Sequence, residues 1–196
     1  MIKLKRQSLS IVLLSFFTLA LAAQSNAQAY RDELRQKSER HIKCDTVPQL
    51  ADSVFGAIKT RLFDSLEVYT PSYFSIKAAY DTMNLDQSDQ FVLIKQQYLI
   101  HNLYKQHKKL HIAAKKNKIN LKFIELVSKD IQYGLHKDGY PFAIVTLHCA
   151  RNNKKFDIRF VAMKVLDHWY IADELKLTLE DKKVIPKVPF SLEQSN

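Results

Sequence analysis

Apolar residues change their spacing once along this 196-residue chain, close to Lys118. Ahead of that point they recur every three to four positions, the repeat of a helix with one buried face. Beyond it they alternate, the repeat of a half-buried strand. The charged stretch 30–43 predicts a first helix, interrupted at Thr46-Val47-Pro48. From Gln49, the residues Val54, Ile58, Leu62 and Leu66 share a stripe, with Phe55 beside it. Thr70-Pro71 reads as an N-cap followed by proline at the first helical position, opening a short helix to about Met83. Ser88 or Asp86 caps the next helix, which carries Val92, Leu99, Leu103 and Leu110 on one face and ends among lysines.

Four strand-like segments follow, at 121–135, 140–151, 154–166 and 169–179. The breaks between them are Lys137-Asp138-Gly139, Asn152-Asn153 and Asp167-His168, each short enough for a β-hairpin. Helices first and an antiparallel meander second predict an α+β domain, with N-terminal helices packed on one face of a four-stranded sheet. The tail 181–196 has two prolines and no periodicity and is expected to be loose.

The strand faces follow from the turns. A two-residue turn at Asn152-Asn153 sets Cys149 opposite Phe156, Leu147 opposite Ile158, Val145 opposite Phe160 and Ala143 opposite Ala162. This apolar face is expected to meet the helices. The other face pairs His148 with Asp157 and Thr146 with Arg159. It then turns apolar at Phe142, Ile144, Val161, Met163 and Val165, extended by Tyr170 and Ala172. A sheet buried on one side ordinarily shows a polar second side. The patch is therefore expected to be a contact surface, of a homodimer or beneath tail residues Val188 and Phe190.

One residue breaks the pattern. Trp169, Ile171, Asp173, Leu175 and Leu177 share a face, so alternation sends a carboxylate inward with four large apolar side chains. An unpaired buried carboxylate is costly. In one reading Asp173 sits at a wet rim, paired with Lys164 or a tyrosine hydroxyl. In the other it points into a pocket and binds a ligand or accepts a proton. A two-residue turn at Asp167-His168 sets Lys164 diagonal to Asp173.

Composition and charge place the chain. Lys3, Lys5 and Arg6, an apolar stretch at 11–23 and small residues around Ala27-Gln28-Ala29 form a signal peptide at 1–29. The protein is expected to be exported, periplasmic or secreted. Removing the leader lowers the formal charge from +10 to +7, still basic. Lys105, Lys108, Lys109, Lys115, Lys116, Lys118 and Lys122 run without an acid between them. An exported basic protein meets an anionic envelope surface or an acidic partner, and no nucleic acid. The plain alternative is a solvated helix end whose cations complement the helix dipole. Cys44 and Cys149 both survive processing. An oxidising compartment permits a disulfide between them, and the alternative is two separate buried thiols.

Recognisable catalytic chemistry is thin. His107-Lys-Lys-Leu-His111 puts two imidazoles on one helix face, a geometry that metals use. It lacks the glutamate of the zinc-protease pattern and sits among cations, so it reads as a solvated basic face, and no metal or cofactor is expected. His148 opposite Asp157 reads as a surface cross-strand pair. Tyr69, Tyr73, Tyr98 and Tyr104 are expected to approach the core, where a hydroxyl needs a partner.

Helices, a long meander and the late stretch MKVLDHWYIADELKL together resemble the nuclear transport factor 2-like superfamily, also called cystatin-like or SnoaL-like. Members often carry a turn followed by Trp-x-Ile in the last strand, matched here by Asp167-His168-Trp169-Tyr170-Ile171, though without the usual turn glycine. The resemblance covers roughly 49–180. It implies a cone-shaped domain at 49–180, preceded by a helix and linker at 30–48, with a pocket at one end and frequent dimerisation through the outer sheet face. Asp173, Lys164, Trp169 and Tyr98 are then the candidate ligand-binding residues, for a small hydrophobic or anionic ligand. The superfamily holds isomerases, cyclases, dehydratases and non-catalytic modules, so fold alone does not decide function. The first expectation is a non-enzymatic ligand-binding or interaction module. The alternatives are a small lyase or isomerase using Asp173 and a tyrosine, and an envelope-associated structural partner docking through the basic helix end.

Overall fold

The computed structural model describes residues 39–179 except Asp138, together with Glu33, Arg35 and Gln36. The segments expected to be a signal peptide, 1–29, and a loose tail, 181–196, lie outside the described residues. The chain divides into two units, Met1–Arg40 and His41–Asn196. In the first, Glu33, Arg35, Gln36 and Glu39 are helical and exposed. In the second, 41–43 are not helical, so the first helix stops short of Lys43.

Four α-helices precede the sheet: α1 (Val47–Thr60), α2 (Asp64–Glu67), α3 (Tyr73–Thr82) and α4 (Asp89–Lys116). Thr46 does not interrupt α1 but starts it, its hydroxyl accepting from the Gln49 N–H with Pro48 in the first turn. The stripe Val47, Leu50, Ala51, Val54, Ala57 and Ile58 is buried. The expected continuation to Leu66 fails because Arg61 adopts a left-handed conformation with φ 65° and ends the helix. Leu62 is left 64% exposed, while Leu66 regains the core from α2. The N-cap of α3 is Ser72, not Thr70; the Thr70 hydroxyl donates back to Glu67 O at 2.7 Å. Of the two candidates Ser88 and Asp86, Ser88 caps α4, its hydroxyl accepting from the Phe91 N–H, and Val92, Leu103, His107, Leu110 and Ala114 form the buried stripe.

A 3-10 turn, Leu121–Phe123, precedes the sheet, which starts at Glu125 rather than at Leu121. The strands are β1 (Glu125–Leu135), β2 (Pro141–Arg151), β3 (Lys154–Val165) and β4 (His168–Leu179), in the order β1-β2-β3-β4 and all antiparallel. The architecture is α+β. The β2–β3 register is the one that Asn152-Asn153 dictates, with Cys149↔Phe156, Leu147↔Ile158, Val145↔Phe160 and Ala143↔Ala162. Both turn residues have positive φ, 49° and 60°, which asparagine tolerates. All eight of those paired side chains are buried and join α1 and α4 in the core.

The β3–β4 turn departs from expectation. It is Leu166-Asp167, with Val165 opposite His168 and Lys164 opposite Trp169. Further along β4, Ala162 pairs with Ile171, Val161 with Asp173 and Arg159 with Lys176. Three steps on β3 thus face five on β4, so two extra residues bulge out of β4 around Glu174, whose φ is 58°. Two bulged residues restore the parity, and Leu175 is buried again at 2% exposure. The free edge of β4 is covered by the segments before α1 and α3: Trp169 N–H donates to Cys44 O at 2.7 Å and Ile171 N–H to Tyr69 O at 2.9 Å.

The two cysteines are free and buried, and do not form the disulfide considered above. Cys44 bridges Trp169, which faces Lys164. Cys149 faces Phe156, eight residues earlier on β3. At about 3.3 Å per residue that is roughly 25 Å, where a disulfide needs Cα atoms within about 7 Å.

On the second face of the sheet, α3 supplies part of the cover. Tyr170 is 2% exposed and its hydroxyl lies 3.5 Å from Ser75 Oγ of α3, while Val165 is 7% exposed. Phe142, Ile144, Val161, Met163 and Ala172 are half-buried. Two of the seven patch residues are thus buried within the chain itself. Among the described residues no helix is long and apolar enough to cross a membrane.

Candidate functional site

Asp173 lies inside the double bulge of β4, and there it is exposed. Its Oδ1 accepts from the Glu174 N–H at 2.7 Å and from the Gln106 side-chain amide. The same amide, through Oε1, accepts from the Leu175 N–H at 2.8 Å. A single helix side chain therefore substitutes for the strand partner that the bulge removes, satisfying a backbone donor on one side and a carboxylate on the other. Alternation alone gave Asp173 the inward parity of its neighbours; the bulge is what turns it outward. Lys164 is not its partner, because the turn places Lys164 opposite Trp169, four residues away along β4. Tyr98 stands 66% exposed on α4. Of the four candidate ligand-binding residues, only Lys164 and Trp169 are adjacent.

The histidine pair is not solvated. His107 is 5% exposed and faces the core, and its Nε2 lies 3.0 Å from His111 Nε2, so one ring donates and the other accepts. Phe63 packs edge-on to His107 and to Tyr104. Burial, with His111 alongside, pulls the His107 pKa down to about 4. Burial and the nearby Arg61 lower that of His111. Both rings are held neutral at neutral pH. Among the described residues no three His, Cys, Asp or Glu side chains gather where they would hold a metal ion. On the other face, His148 Nδ1 and Asp157 Oδ1 are 2.7 Å apart, the cross-strand pair that register requires. Burial pushes the Cys149 thiol up to about 12 and also raises that of Cys44, so both are held protonated and unreactive.

The densest chemistry lies where α4 ends. Asn117 closes the helix, its side-chain amide donating to Ala113 O at 2.8 Å. The chain then reverses at Lys118, with φ 56°. The β2–β3 hairpin comes to the same place: Lys154 Nζ donates to Asn117 O at 2.7 Å. An open cleft of about 530 Å³ results, lined by Lys116, Asn117, Lys118, Asn153, Lys154, Lys155 and Leu179. Four of these seven are lysines and none is acidic. The C-terminal end of a 28-residue helix carries partial negative charge that offsets part of their repulsion. Lys122 and Arg151 add two more cations beside it, each over the ring of Phe123, at 5.6 and 5.2 Å from its centroid. Arg61, at the end of α1, donates to Asn120 Oδ1 at 2.6 Å. Helix, 3-10 turn and hairpin thus build one cationic end. The lysine run was legible in the sequence; Lys154, Lys155 and Arg151 were not connected to it, because only the hairpin's position brings them together.

A second, smaller groove of about 300 Å³ runs between α4 and the bulge, lined by Gln106, Lys109, Leu110, Ala113, Glu174, Leu175, Lys176 and Leu177. Asp173 lines neither cleft. No family model, curated protein or solved structure matches the chain.

Proposed function

We propose that this chain is an exported, non-enzymatic interaction module of the nuclear transport factor 2-like type, and that its working surface is the cationic end, which binds a polyanionic partner. The observation that carries this reading is the convergence of Lys116, Lys118, Lys154 and Lys155 from two distant segments on one open cleft without an acid in its lining. The helix C-terminus and the Lys154 bond to Asn117 O offset only part of the repulsion among these like charges, and an anion bound between them would neutralise the rest. The cone shape draws support from Tyr133 and Trp169. They sit on the first and last strands, yet their ring centroids are 5.9 Å apart. A flat sheet would hold those strands about 14 Å apart. In the register Tyr133 leads through the small side chains of Ala143 and Ala162 to Ile171, two residues along β4 from Trp169. The alternative, a lyase or isomerase working through Asp173, has less support, because Asp173 is exposed, engaged by Gln106 and outside both clefts.

The test uses inorganic polyphosphate as the probe. The protein is expected to bind it at low salt and to release it as salt screens the lysines. Reversing Lys116, Lys118, Lys154 and Lys155 to Glu should abolish binding. A control reversing Lys43, Lys95, Lys105 and Lys108, which leaves the same net charge and an intact cleft, should retain it. Equal loss in both variants would show general charge attraction and defeat the reading.

A further inference from the structure

We infer that the polyanion met by the cationic end is an anionic phospholipid surface, on which Phe123 acts as an inserted anchor; the inference rests on the reading of that end as a polyanion site. Phe123 follows the end of α4 by seven residues and is 49% exposed. An exposed phenyl ring on a soluble surface is unremarkable by itself. This one has both the Arg151 guanidinium and the Lys122 ammonium over its ring, in the same cationic end as the four cleft lysines. Leu62, 64% exposed, follows Arg61, whose guanidinium is tied to the 3-10 turn through Asn120.

Exposed apolar side chains set among cations fit a bilayer interface. The cations meet headgroup phosphates, and the ring and the leucine enter the boundary beneath them. A free phosphate, or an acidic protein segment reading charge alone, would engage the lysines and leave Phe123 and Leu62 in water. The geometry also sets the depth. Phe123 sits on the turn between α4 and β1 and Leu62 on the loop between α1 and α2, so only these connecting segments would enter the interface.

The experiment measures partitioning of the full chain, as its expression host processes it, onto vesicles of phosphatidylcholine with or without 30% phosphatidylglycerol. Phe123→Trp supplies an emission signal beside the buried Trp169. That signal is expected to shift to the blue, and to be quenched by brominated acyl chains, only with the anionic vesicles. Phe123→Ala should weaken partitioning roughly five- to tenfold, with thermal melting unchanged because the side chain is half exposed. Reversal of the four cleft lysines should weaken it at least about a hundredfold. If Phe123→Ala partitions like wild type, or the tryptophan at 123 stays unquenched, the inference is wrong while polyphosphate binding keeps the wider reading alive. If neither polyphosphate nor anionic vesicles bind, both fall together.

Discussion

Gln106 carries more structure than its polar character announces. Its amide satisfies the Leu175 N–H and donates to Asp173 at the one place where β4 leaves its ladder. Gln106→Ala leaves that backbone donor without its partner, and urea unfolding should show a loss of about 1–3 kcal/mol. Asp173→Asn keeps an oxygen that can accept both bonds and should cost less than about 1 kcal/mol. The opposite ranking would mean that the carboxylate, not the glutamine, holds the bulge. His107 gives a pH signature. Unfolded, it takes up a proton near pH 6.5; folded, it resists until about pH 4. The unfolded state therefore binds more protons across that window, so stability is complete above pH 6.5, falls as the pH drops towards 4 and levels off below it. The loss is on the order of 3 kcal/mol. His111 is shifted the same way and adds to it. His107→Leu should flatten the slope of unfolding free energy between pH 6.5 and 4; an undiminished slope would assign it to other groups.

Among the elements, the β1–β2 hairpin depends on a glycine. Gly134 faces Phe142 across the pair, and a Cβ at Gly134 would sit 2.5 Å from the ring. The ring occupies the space that a side chain would need, so any larger residue at 134 requires Phe142 to move. Gly134→Ala should destabilise by about 1–3 kcal/mol through overpacking, and adding Phe142→Leu should recover part of it. A Gly134→Ala protein of wild-type stability would mean that Phe142 moves aside freely. The helices teach a related lesson. Leu62 continues the stripe of α1 in sequence, yet Arg61 in the left-handed region ends the helix one residue earlier and puts Leu62 in water.

For the whole molecule, the long dimension of the sheet decides the cysteine chemistry. Cys44 and Cys149 belong to opposite ends, both buried and both with raised pKa values. Thiol titration without reductant should find almost no reactive thiol in the native protein and two after denaturation. No free thiol in the denatured, unreduced chain would reveal a disulfide and overturn this arrangement.

Local chemistry determined a large part of this protein. Period specified helices followed by strands, the capping residues around 86–88 marked the start of the long helix, and Asn152-Asn153 set the central register and thereby the buried face. These are short-range effects, decided by backbone conformation and alternation within a few residues. Three things were settled only by the assembled structure. The β4 bulge needed a partner 69 residues away in Gln106. The burial of His107 needed Phe63 from another segment to close over it. The cationic end needed a helix terminus and a hairpin tip to be brought together by the packing of α4 on the sheet. In each case a residue's role depends on groups remote in sequence, and spacing along one segment carries no record of them.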